Sequence, residues 1–223
     1  MASWMIHLRM ADKLLSQIPG LSELEFIMGS IAPDSGVPNA DWSAFSPSTD
    51  LSHFKDPQIK HGKGISIPKF LEEHFTPQQQ KRYNQGEYAF FLGYLTHLLT
   101  DIFWADEIFQ PAIRRFPART QEAIALIKKD WYDLDFLYLR QHPDFHAFHV
   151  FRNAAGFRNT YMDIFSADAF DDRRAYITGF YMGPREDLDR PYPYLTAEQA
   201  DRFIEDTAGR ILKDLTEYCI DGQ

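Results

Sequence analysis

Cysteine is nearly absent from this chain: Cys219 is the only one in 223 residues. One thiol excludes an internal disulfide and a thiolate zinc site, and with no histidine near it a thiol nucleophile is not expected. Long apolar runs are missing as well. None reaches the about 18 residues that a membrane-spanning helix needs, and at the N-terminus His7 and Arg9 interrupt the apolar segment that a secretion signal requires. Basic stripes are lacking: 23 Lys and Arg stand against 32 Asp and Glu, a net charge of −9, and the densest basic groupings are pairs such as Arg114-Arg115 and Lys128-Lys129. A protein that grips duplex nucleic acid through its phosphates needs more. No GxSxG, P-loop or GxGxxG motif occurs. These absences leave a cytoplasmic protein acting on a small molecule as the expectation.

Aromatic residues, in contrast, are plentiful, with 19 Phe, 11 Tyr and 4 Trp, enough to fill one large core. The length suits a single domain over 1–223. The apolar spacing predicts an all-α bundle. Ile6, Met10 and Leu14 mark a first helix over 3–17, stopped by Pro19-Gly20. A short helix over 21–28 follows. From 29 to 66 Gly, Pro, Ser, Asn and Asp dominate. Such a long loop is functional or disordered, and its Trp42, Phe45 and Phe54 predict an ordered one. Helices resume at Pro68 and at Thr76-Pro77, with Pro in the first turn. A central helix over 87–110, apolar nearly all round, is expected to be buried and to end at Pro111. Further helices are predicted over 119–140, 144–165 and 168–180, and the last opens with a Thr196–Gln199 capping box. The stretch from Phe145 to Phe151 is the only candidate strand.

The strongest chemical signal is His97-Leu-Leu-Thr-Asp101, in the middle of the central helix. Positions i and i+4 share a helix face, so an imidazole and a carboxylate there can hold one metal ion. They can equally form a buried His–Asp hydrogen bond, since a carboxylate among leucines must find a partner of some kind. Asp34, in Gly29-Ser-Ile-Ala-Pro-Asp34-Ser, reads as a ligand or as ordinary turn chemistry. His53 lies in the same loop. His7, on the apolar side of the first helix, reads as a ligand or as a satisfied core residue. Together these five offer three imidazoles and two carboxylates, a donor set that suits zinc or another first-row metal and that a helical bundle can assemble in its core. A rival cluster, His142, His146 and His149, has partly helical spacing but contains Pro143.

Trp4-Met-Ile-His7, Gly29-Ser-Ile-Ala-Pro-Asp34, His53-Phe54 and Phe91-Leu-Gly-Tyr-Leu-Thr-His97-Leu-Leu-Thr-Asp101 resemble, in this order, the zinc-dependent phospholipase C family, and more distantly the single-strand-specific zinc nucleases. The resemblance covers roughly the first 110 residues. It implies an all-helical, zinc-dependent hydrolase of phosphate esters that uses a metal-activated water, with His7, Asp34, His53, His97 and Asp101 as ligands. Asp34 is then the best candidate for the general base, and Trp42 and Phe45 would line the substrate entrance. The chain departs from the family in two places. Trp4 is preceded by three residues, whereas secreted members begin at a Trp whose amine holds a metal. The HxxxE pair that supplies a further zinc is missing. Glu107, or Asp130, Asp133 and Asp135 in the following helix, are the expected substitutes, Asp135 ranking first because it sits in the more apolar stretch and Asp130 second. Two alternatives stay open: another all-helical His/Asp metal phosphohydrolase acting on nucleotides, and a non-catalytic helical binding protein.

Overall fold

A computed structural model describes residues 2–41 and 43–219. Its central element is α6, Gln85–Trp104, in which every residue from Ala89 to Asp101 is buried. Asn84 starts it with a capping box: its side chain accepts from the Glu87 amide, and the Glu87 carboxylate accepts from the Asn84 amide. An element buried on all sides needs partners on all sides. Helices α1 (Trp4–Leu15), α2 (Glu23–Gly29), α4 (Ile67–His74) and α11 (Ala197–Tyr218) pack against it. Short helices α3 (Thr49–Ser52), α5 (Pro77–Gln80) and α7 (Gln110–Ile113) lie in the connections. Helices α8 (Gln121–Gln141), α9 (His146–Asn153) and α10 (Ala169–Met182) complete the bundle.

Helices α2 and α6 approach backbone to backbone. A Cβ on Gly93 would lie 2.2 Å from the Phe26 carbonyl oxygen, and one on Gly29 would lie 2.1 Å from that of Phe90. Both distances are far inside van der Waals contact, so only glycine permits this crossing. It carries the turn after α2, and Asp34 with it, against the middle of α6.

The expected all-α architecture is present, with differences of detail. The two-residue strands Val37–Pro38 and Phe45–Ser46 pair antiparallel in the long loop, too short to leave an alternating pattern in the sequence. The segment from Phe145 to Phe151 is not a strand: Phe145, Phe148 and Phe151 are all buried, a spacing of three that belongs to α9. That helix stops at Asn153 and does not reach 165. Asn159 holds the segment beyond it, donating to the Met162 and Phe165 carbonyls and accepting from the Tyr161 and Met162 amides. Pro111 does not close the central helix. A wide π-turn over Ala105–Phe109 follows α6, and Pro111 sits in the first turn of α7, where a missing N–H is tolerated.

The loop after α2 is ordered, as its aromatic content predicts. Phe54 is buried and packs edge-on to Phe70 and Tyr94. The Tyr94 hydroxyl donates to the Ser52 carbonyl, and backbone bonds from Ser66 to Phe54 and from Asp56 to Gly64 close the remainder. Trp42 lies outside the described residues.

Candidate metal centre

Four separate elements deliver the five expected ligands to one place. α1 buries His7 among Met5, Ile6, Leu8 and Met10. A 3-10 turn, Ala32–Asp34, follows directly on α2 and presents Asp34. His53 caps the end of α3, in the segment pinned by Tyr94. α6 contributes His97 and Asp101 one turn apart. All five are buried, Asp34 the least so at 9% exposure.

They form two groups of three, His7–His97–Asp101 and Asp34–His53–His97, whose donor atoms all lie within 4.8 Å of one another. His97 is common to both. The His7 and His97 rings stack, with centroids 3.7 Å apart and planes 7° apart. His7 Nε2 is 3.5 Å from Asp101 Oδ1, and His53 Nε2 is 3.5 Å from Asp34 Oδ1. The amide of Ala2 also reaches Asp101 Oδ1, at 2.6 Å.

Hydrogen bonding settles the form of His97. Its Nδ1 is 2.8 Å from the Ser30 carbonyl oxygen, which can only accept, so Nδ1 carries the proton and Nε2 keeps a lone pair. Burial, reinforced by the neighbouring His7, lowers the His97 pKa to about 3 and keeps the ring neutral. Burial alone would raise the carboxyl of Asp34, but the adjacent His53 and the other imidazoles outweigh it and hold that carboxyl below its ordinary range. Burial is likewise outweighed at Asp101, by Lys63 and then by His7 and His97. A neutral His97 imidazole beside ionised carboxylates offers the donor forms that a metal requires.

The cluster is incomplete as a hydrogen-bond network. Neither ring nitrogen of His7 makes a hydrogen bond, nor does Asp34 Oδ1. His97 Nε2 faces His53 Nε2 at 3.3 Å, so at most one proton can lie between these two atoms. Buried polar atoms left this way are costly. A cation among them would take up these lone pairs, so the residues fit the metal, and the carboxylate–imidazole mixture fits zinc.

The other expected ligands belong to neither group, because each has been claimed elsewhere. Asp130 accepts from Arg190 Nη1 at 2.7 Å and from the Tyr194 amide at 2.8 Å. Asp135 accepts from Ser3 Oγ at 2.8 Å and the Tyr181 hydroxyl at 2.7 Å, and burial raises its pKa to about 7. Glu107 points outward to Arg210 at 2.6 Å. The rival histidines also diverge: His142 donates to the Tyr138 carbonyl, His146 pairs with Glu23, and His149 lies by the Pro143 carbonyl.

A cleft of ≈ 500 Å³ opens beside the cluster. Asp34, Ser52 and Phe45 are among the residues that line it. Trp4, Tyr132, Tyr176 and Phe180 form an aromatic wall, and Lys128, Arg173 and Arg185 add positive charge. The five of these that come from α8 and α10 escape sequence reading, because only folding brings those helices to the motifs of the first half. Periodicity places Tyr132 and Arg173 on helices but gives no sign that they face a site.

No curated protein and no solved structure matches the chain. One family model does, over residues 6–109, a span that contains all five clustered side chains. That model is of the zinc dependent phospholipase C family, and over this span the chain is similar to it.

Proposed function

We propose that the protein is a zinc-dependent hydrolase of phosphate esters, with His7, Asp34, His53, His97 and Asp101 as its metal ligands. The observation that carries this reading is the convergence of five buried donors beside a cleft whose other charged side chains are cationic. Zinc supplies Lewis acidity, which makes water nucleophilic at neutral pH and offsets charge on phosphoryl oxygens.

The chain's own residues do the rest. Asp34 is the only one of the five that reaches the cleft wall. Its carboxylate is ionised and can accept the proton of the attacking water. His97 is fixed through Nδ1 to Ser30, so its ring cannot turn away from the cluster. Arg173, its Nη2 bonded to the Gly36 carbonyl at 2.6 Å, lines the same cleft and would stabilise charge on phosphoryl oxygens bound there. Attack on phosphorus breaks the ester P–O bond and releases the alcohol.

The family supports a phospholipid-like ester. A soluble phosphodiester or phosphomonoester is equally compatible with the cleft. No helix among the described residues is long and apolar enough to cross a membrane. The test is hydrolysis of bis(p-nitrophenyl) phosphate and p-nitrophenyl phosphate by zinc-loaded protein. Turnover is expected to fall by at least about a hundredfold in Asp34→Asn. A wild-type protein that retains zinc and cleaves neither ester would favour a non-catalytic role.

A further inference from the structure

We propose that the cleft selects doubly anionic phosphate esters carrying a flat apolar group over choline-type esters, and that Arg173 and Lys128 impose this selection. The inference rests on the phosphate-ester reading and narrows its substrate.

The charged side chains along the cleft are Lys128, Arg173, Arg185 and Asp34. The carboxylate belongs to the candidate metal centre, so away from the metal the cleft is cationic. Arg185 is shared with Asp133, to which it donates from Nε at 2.7 Å and from Nη2 at 2.5 Å. Lys128 is exposed, with no carboxylate partner among the described residues. A single dianionic phosphoryl group can meet the metal and Arg173, and the Lys128 ammonium in the same cleft adds to its attraction. Attraction of this kind in a low-dielectric cleft discriminates strongly between charge types.

The aromatic wall argues the same way. Aromatic faces recognise quaternary ammonium groups, so Trp4, Tyr132 and Tyr176 could in principle hold choline. Here the protein's own guanidinium takes that place. Arg173 lies over the Trp4 ring at 5.9 Å and over the Tyr176 ring at 5.5 Å. A second cation brought to those faces would meet Arg173. A flat apolar group meets no such opposition and can pack on Tyr132 and Phe180.

The experiment compares phenylphosphonate with phosphorylcholine as ligands of the zinc-loaded full chain by calorimetry, and p-nitrophenyl phosphate with p-nitrophenyl phosphorylcholine as substrates. Phenylphosphonate is expected to bind at least about tenfold more tightly, with a preference that weakens as salt rises. Lys128→Glu, an exposed change that spares the core, should cut the ratio several-fold. Arg173→Gln should abolish it wherever circular dichroism shows the variant folded. Equal or tighter binding of phosphorylcholine, or a ratio unmoved in Lys128→Glu, overturns the proposal. The binding preference without turnover of either ester would sink the hydrolase reading and keep this one. Equal turnover of both esters would do the reverse.

Discussion

His97 Nδ1 donates to the Ser30 carbonyl across 2.8 Å, and this bond couples the candidate metal centre to a helix crossing. Ser30 is the residue that follows α2, so its carbonyl is positioned by the contact between α2 and α6. That contact exists only because Gly29 and Gly93 lack side chains.

Gly93→Ala should therefore damage stability and metal binding together. Alanine is the better helix former by about 1 kcal/mol, but its Cβ would meet the Phe26 carbonyl at 2.2 Å. Backbone on both sides cannot yield cheaply, and overpacking of this kind costs about 1–3 kcal/mol or more. Urea denaturation of the metal-free protein measures the first effect, and zinc titration of the variant measures the second. A variant of wild-type stability would contradict the crossing described.

Chelation should loosen the segment between Ser30 and Ser66. Asp34 and His53 are two of the five clustered donors, and the segment holding them is otherwise secured mainly by the Tyr94–Ser52 bond and the packing of Phe54. Limited proteolysis with and without a chelator tests this. New cuts in the segment are expected after chelation, and identical patterns would count against its role in presenting ligands.

The carboxylates that stand apart from the cluster should be dispensable for zinc. Asp130→Asn and Asp135→Asn are both expected to keep wild-type metal content, and Asp130→Asn to lose stability through its contact with Arg190. Asp135 adds a pH signature. Burial raises its pKa from 3.8 to about 7, so folding favours its protonated form. Its contribution to stability is fully present below pH 3.8 and is lost as pH rises toward about 7, with an upper limit of roughly 4 kcal/mol. Asp135→Asn should flatten this decline and gain stability relative to wild type between pH 5 and pH 8. Parallel melting curves of the two proteins across that range would show the group to be ionised in the fold.

The five clustered side chains were legible in the sequence because short motifs carry them: HxxxD fixes His97 and Asp101 on one helix face, and Asp34 and His53 sit in a loop too aromatic to be loose. Asp130, Asp135 and Glu107 lie apart from the cluster, and the sequence does not show this for a physical reason. A buried carboxylate needs a partner, but spacing along α8 cannot distinguish a metal from Arg190, Ser3 or Tyr181, which come from distant parts of the chain. Pro111 misled for a related reason, since a π-turn shifts the helix register without any residue type to announce it. Phe145, Phe148 and Phe151 did announce α9, through a spacing of three that a strand would not show.

The central claim is that these donors hold zinc, and elemental analysis of the purified chain tests it most directly. His97 belongs to both groups of donors, whereas His7 belongs to one, so His97→Ala should lose more metal than His7→Ala. Wild-type protein dialysed against trace zinc is expected to keep at least one ion per chain, and His97→Ala to fall well below it. Equal zinc content in wild type and His97→Ala would contradict the account.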